Sequence, residues 1–268
     1  MKIKILVAAH KKYRMQEGSM YMPIHVGKAG KESIGYPGDD TGENISVSNP
    51  RFCELTGIYW AWKNLQADYI GSTHYRRHFT VAGRSGRLRC KDKFGLVLKR
   101  GEAEKLLSTC DLIVPNKRKY YIESIRSHFI HLPYTYEKDL RILEETIQEI
   151  APEYADAFCT VMNRSWAHMF NMFLMKKSLF DAYCEWMFPI LFAVDRKIDV
   201  SGYTAMEARA VAYFGEFMLD IWCEKNKVPY REVNVMFMEK QSMLVKAWTA
   251  FKRKFGMNFK EKARIAVR

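Results

Sequence analysis

The sequence predicts an α/β fold, with strands and helices alternating around one sheet. Three features carry that expectation. Residues 3–9 are a dense run of Ile, Leu, Val and Ala, the composition of a parallel strand buried on both faces. Phe52, Leu55, Tyr59, Trp62 and Leu65 recur every three or four residues, which makes one apolar face of a helix over 48–65. Residues 68–72 and 111–115 read as further short strands, the second stopped by Pro115.

In chain order, His10-Lys11-Lys12 directly follows the first strand. Residues 18–47, rich in Gly, Asp, Ser and Pro, read as a long functional loop holding a short strand at Pro23-Ile24-His25-Val26. Ser48-Asn49-Pro50 starts the helix, a capping side chain followed by proline in the first turn. Residues 81–100, with Gly83, Gly86 and Gly95 among basic residues, resemble an inserted loop or hairpin. A short helix covers 101–107. Leu140, Leu143, Ile147 and Ile150 share one face of the next helix, and Pro152 opens another. Residues 168–175 read as a buried strand. Ser178 caps a helix through Leu191, a further helix covers 204–225, and 233–238 is the last strand.

The 268 residues are 48% hydrophobic, enough for one sizeable core. The domain is expected over 1–245, followed by a basic tail at 246–268. Six cysteines are scattered without a CxxC pair, so no zinc pattern exists and free thiols in a reducing cytoplasm are expected. Residues 1–9 are too short for a signal peptide. No apolar run reaches the roughly 20 residues of a membrane span. The net charge of +13 points to anionic partners, and the last 23 residues hold eight basic residues against one acid. There Trp248, Phe251, Phe255 and Phe259 recur at helical spacing among Lys and Arg. That pattern suits an anionic membrane surface, and equally a terminal helix packed on the domain. Nucleic acid is not expected, because no recognition motif accompanies the charge.

The stretch Asp68 to Phe79 carries the most chemistry. A short strand runs into His74-Tyr75-Arg76-Arg77-His78. Ligands of α/β proteins bind at the carboxyl ends of strands. Two adjacent guanidiniums there offer forks of donors to a phosphate or carboxylate.

Further motifs accompany it: Gly42-Glu43-Asn44-Ile45-Ser46, Glu54-Leu55-Thr56-Gly57-Ile58-Tyr59-Trp60, Pro152-Glu153-Tyr154, Asn171-Met172-Phe173 and Tyr183-Cys184-Glu185-Trp186. On these the chain resembles a family of bacterial capsular and exopolysaccharide biosynthesis proteins, described as glycosyltransferases and often catalogued as a domain of unknown function. The resemblance is strongest over residues 1–80. It implies a Rossmann-like sheet of the single-domain nucleotide-sugar transferase (GT-A-like) type, with a helical C-terminal extension. It also implies transfer of a hexose, with galactose in pyranose or furanose form as one candidate, from a UDP-type nucleoside-diphosphate sugar to a lipid-linked surface polysaccharide acceptor. The setting would be the cytoplasm, at the inner face of the plasma membrane. The competing class is a non-catalytic carbohydrate- or phosphate-binding module of an assembly complex.

Within the implied activity, His10, His74, Tyr75, Arg76, Arg77 and Asn171 are the donor-binding candidates. Asp40, Asn44, Trp60 and His168 are the candidates for sugar or acceptor. Trp60 lies off the apolar helical face and so is a candidate for stacking on a sugar, whereas Trp62 belongs to the core. Ser46 and Asn44 serve equally as loop-capping side chains. Many transferases of this architecture hold a divalent metal on an Asp-x-Asp pair after a central strand. Here His74-Tyr75-Arg76-Arg77 stands in that place, so no metal cofactor is expected. The alternative is Mn²⁺ or Mg²⁺ on Asp39-Asp40, which is also an ordinary turn sequence. An inverting transferase needs a carboxylate base, for which Glu216 and Asp195 are the candidates. The family tends to carry Gly-Glu-Arg where this chain has Gly215-Glu216-Phe217, so an ion-pair partner supplied by that arginine is missing.

Overall fold

In a computed structural model, residues 1–239 are described; the expected tail at 246–268 lies outside them. The chain forms β1 (Ile3–Ala9), β2 (Tyr21–His25), α1 (Asn49–Phe52), α2 (Leu55–Asn64), β3 (Tyr69–His74), β4 (Arg77–Thr80), α3 (Arg84–Arg89), α4 (Arg100–Leu107) and β5 (Leu112–Pro115). There follow β6 (Arg118–Lys119), α5 (Ile125–His131), α6 (Glu137–Ile150), α7 (Ala155–Met162), β7 (Trp166–Ala167), β8 (Phe173–Lys176), α8 (Lys177–Lys197), α9 (Ala210–Asn226) and β9 (Arg231–Phe237). The mixed α/β class is as expected.

β1 pairs in parallel with β2 on one side and β3 on the other. Beyond β3 the sheet is mixed. β3 pairs antiparallel with both β4 and β8, β4 pairs with β9, β9 runs parallel to β5, and β5 returns to β8. These five strands form a closed circuit, with β1 and β2 as a parallel wing. The sheet is thus not purely parallel and doubly wound.

Alternation along β1 divides its side chains between two cores. Leu6 and Ala8 join the larger one, built with α2 and α5–α9. Ile3, Ile5, Val7 and Ala9 join the smaller one, with Phe79, Val97, Leu98 and Leu107. Both faces are covered, which explains the unbroken apolar run. Gly71 of β3 stands where strands approach closely: a Cβ there would lie 2.9 Å from the carbonyl oxygen of Phe173 and 3.1 Å from Ile5.

Two expected elements are broken. The helix over 48–65 divides at Cys53, whose φ of 47° ends α1 before α2 begins. The strand over 168–175 survives only as β8, with the two-residue β7 ending just before it. Between them Phe170 and Asn171 adopt φ of 85° and 49°, left-handed values that no strand tolerates. The apolar residues around Asn171 hid that turn, because Met169, Phe170 and Met172 are packed whatever their backbone.

Candidate active site

The carboxyl ends of three parallel strands bring three histidines to one edge. His25 ends β2, His74 ends β3, and His10 stands one residue past β1. The register sets Ala9 opposite His25 and Ala8 opposite His74. The Tyr75 backbone N–H donates to Ala8 O at 3.2 Å, which seats the buried Tyr75 ring between the strand ends. Tyr75 then packs against His10, His74 and Tyr13 with ring centroids 5.4, 4.2 and 4.9 Å away. Its hydroxyl is 3.5 Å from His10 Nε2. Burial, reinforced by Arg76 and Arg77, pushes His74 down to about 3. Burial and the same Arg76 also lower His10. A neutral imidazole can hydrogen-bond a base or ribose but cannot balance phosphate charge, so at this edge that task falls to arginine.

Arg76 and Arg77 do not act as one fork. Arg76 leans over Tyr75, 5.3 Å from the ring centre, with Glu239 at 3.9 Å. Arg77, the first residue of β4, lies 4.3 Å above Phe170 and faces Glu216. The positive-φ turn is what presents Phe170 there.

A cavity of about 230 Å³ opens at this point, lined by Arg77, Arg118, His128, Tyr134, Tyr213 and Glu216 among others. Glu216 lies on α9, which the close approach at Gly215 brings near α2: a Cβ on Gly215 would sit 3.0 Å from Leu55 and 3.2 Å from Asn171 Oδ1. Burial pushes the Glu216 carboxyl up to about 7, and the nearby Glu54 adds to the rise; Arg77 and Arg118 oppose it. Among the described residues neither Arg77 nor Arg118 has a carboxylate within ion-pair distance. Asn171 donates to Glu54 Oε1 at 2.9 Å, so it holds Glu54 beside the cavity. Arg209 acts electrostatically on both His10 and Tyr213. A larger opening of about 450 Å³ beside Met1, Lys2, Asp68 and Arg100 lies at the amino ends of β1 and β3, away from these groups.

Other candidates serve the fold. Trp60 is 9% exposed, and its Nε1 donates to Thr41 at 2.9 Å; it is core, not a sugar platform. The turn to α2 rotates it inward, while Trp62 is the partly exposed ring, with Lys63 Nζ 3.7 Å from its centre. Asn44 bridges its own loop, donating to Gly42 O and accepting from Ser46 N. Asp195 pairs with Arg51 at 2.8 Å and does not line the cavity. His168 is buried with Nδ1 2.5 Å from Asp220, tying β7 to α9. Asp40 pairs with Lys28 at 3.7 Å.

Asp39-Asp40 does not fit a divalent cation. The buried Asp39 already accepts from Gly27 N, Lys28 N, Ser46 Oγ and Thr56 Oγ1, two donors on each oxygen. It is the organiser of the 26–47 loop. No group of three or more His, Cys, Asp or Glu placed to hold a metal occurs among the described residues.

Arg118 and Glu54 escaped the sequence reading. Arg118 follows β5 in a basic run, Lys117-Arg118-Lys119, the same signal of charge after a strand that singled out Arg76-Arg77. Glu54 stands in one of the motifs quoted for the family resemblance, but nothing local pairs it with Glu216; only folding does.

An α/β chain with polar groups at its strand ends and a charged, aromatic cavity is thereby defined. Residues 4–227 match the family described as a domain of unknown function, DUF4422, and the chain belongs to that family. Its fold is similar to a solved structure described as the WbbM bifunctional glycosyltransferase in its apo form, with a TM-score of 0.81 and 30% identity. The match covers 90% of this chain and 46% of that one, so the chain spans less than half the length of its neighbour. No curated protein matches it.

Proposed function

We propose that the chain is a glycosyltransferase acting on a nucleoside-diphosphate sugar. The observation that carries this reading is Glu216, a carboxyl raised to about 7 in a cavity that also holds two guanidiniums with no carboxylate of the described residues within ion-pair distance. The likeness to a glycosyltransferase structure supports it. In an inverting displacement, ionised Glu216 takes the proton of the acceptor hydroxyl. That oxygen bonds to the anomeric carbon, and the bond from this carbon to the diphosphate oxygen breaks. Arg77 and Arg118 stabilise the charge on the departing diphosphate. A base with its pKa near neutrality combines useful ionisation with basic strength. The nucleoside would lie against His10, His74 and Tyr75.

The finer features belong to the same proposal: a UDP-linked hexose such as galactose, a lipid-linked polysaccharide acceptor, a transferase unit over 1–245, and cytoplasmic membrane contact through 246–268. The family resemblance and the basic aromatic tail sequence support them.

The test is turnover of a panel of labelled nucleotide sugars by the wild type and Glu216→Gln. Loss of a positioned base costs about 10²–10⁴-fold in rate. Donor binding without turnover in the wild type would instead favour a non-catalytic module. The donor set around Asp39 leads to a second expectation: turnover survives EDTA. Abolition by EDTA with rescue by Mn²⁺ would refute that.

A further inference from the structure

The turn between β6 and α5 presents Tyr121 and Ile122 side by side, 83% and 82% exposed. Tyr121 holds φ at 61°, a costly value for an aromatic residue. The turn is nevertheless anchored at both ends. Tyr120 N–H donates to Ser165 O at 2.7 Å, and Ile125 N–H donates to Arg164 O at 2.8 Å. Glu123 adds a clamp within it, reaching His128 Nδ1 at 2.9 Å and His131 Nδ1 at 2.8 Å. The backbone therefore holds two large apolar side chains out in water. Two adjacent large apolar side chains held out by an anchored backbone form a small apolar surface that a ligand can cover.

Its position identifies the occupant. Tyr120 and Ile125, on either side of the tip, line the cavity that holds Glu216. Tyr120 packs against His128 in a tilted ring contact, with ring centres 4.2 Å apart, and His128 lines the same cavity. The chain thus runs from cavity wall to exposed tip and back within six residues. The cavity, at about 230 Å³, is small. The tip adjoins the wall of the cavity that holds Glu216, and the flat, exposed Tyr121 ring suits the C–H face of a pyranose.

We propose that the 120–125 turn is an extended acceptor subsite. Tyr121 stacks on the second sugar of an oligosaccharide, and His128, aligned by Glu123, hydrogen-bonds a hydroxyl of the first. This rests on the glycosyltransferase reading for the word acceptor; the saccharide contact stands on the turn itself.

The test compares full-length wild type, Tyr121→Ala and Tyr121→Trp. Probes are the methyl glycosides of glucose, galactose and mannose and the corresponding hexose disaccharides. Two readouts are used: saturation-transfer NMR for saccharide binding, and acceptor KM in transfer assays with donor hydrolysis as control. Tyr121→Ala should weaken disaccharides about tenfold, the scale of one aromatic contact, and Tyr121→Trp should restore binding. Methyl glycosides and donor hydrolysis should be unchanged. Equal weakening of both acceptor sizes, or no weakening, overturns the subsite. So does a Tyr121→Ala change in oligomeric mass or vesicle partition with saccharide binding unaltered, which would assign the tip to a protein or a bilayer. If no donor is turned over but disaccharide signals are lost in Tyr121→Ala, the transferase reading fails and the saccharide site stands.

Discussion

At the scale of single residues, burial decides which groups ionise easily. His10 and His74 are lowered by burial and neighbouring arginines, while Glu216, with Arg77 and Arg118 nearby, is an acid that burial makes harder to ionise. Glu216 makes this testable without a substrate. Its folded pKa lies above its unfolded value of 4.5, so its contribution to stability is fully present below pH 4.5 and is lost as pH rises through about 7. Glu216→Gln removes that loss. The variant should gain stability at pH 8, on the order of 1–3 kcal/mol, and little at pH 4.5, as read by urea denaturation at both values. An equal effect at the two pH values would contradict a raised carboxyl. Arg77 supplies a second prediction. Arg77→Ala should lose about 1.5–3 kcal/mol of affinity for a nucleoside diphosphate, by calorimetry, and none for the nucleoside alone. Equal losses for both ligands would remove Arg77 from the diphosphate. The two arginines of the motif were legible as a pair, but their division between Tyr75 and Phe170 was not. It depends on Arg76 occupying a turn and Arg77 a strand.

At the scale of elements, the turns decide what the strands can present. The strand ends at residues 9, 25 and 74 gather the histidines because β1 lies between β2 and β3 in register. The left-handed turn at Phe170-Asn171 then brings an aromatic floor under Arg77 and an amide to Glu54. Strand β3 links the two groups, since it pairs with both β1 and β8. Gly71 sits at that junction. Gly71→Ala forces a Cβ against the Phe173 carbonyl oxygen and Ile5, and should destabilise the protein by about 1–3 kcal/mol, measured by thermal or urea unfolding. An unchanged midpoint would mean that β3 and β8 separate without cost. Apolar patterning identified β1, α6 and the core of α8, although α8 starts at Lys177 with Lys176 as its N-cap, so Ser178 lies inside the helix and does not cap it. The interruption at Cys53 stayed hidden because Cys is not Gly, Asn or Asp, and the one at Phe170-Asn171 because its asparagine stands among large apolar residues.

At the scale of the whole molecule, the closed circuit of β3, β8, β5, β9 and β4 supports the cavity, with the helical layer on one face. No described helix is long and apolar enough to cross a membrane. Bilayer contact is therefore predicted from the tail sequence. Truncation after residue 245 should leave donor binding intact and abolish sedimentation with anionic vesicles. The wild-type interaction should fade at high salt, where screening falls to about 3 Å at 1 M. Retained vesicle binding after truncation, or unfolding of the shortened chain, would reject the membrane role of the tail.

The sequence by itself determined the α/β class, the buried first strand and the basic cluster after Asp68. Those are local properties: composition, period and the charge that follows a strand. Only the tertiary structure decided that Asp39 organises a loop, that Trp60 belongs to the core and that Asp195 serves Arg51. It likewise set Arg118 and Glu54 beside Glu216. A side chain's chemistry is written in its identity. Its partners are set by which distant segments the sheet and helices bring within a few ångströms, and no local pattern encodes a separation of more than a hundred residues.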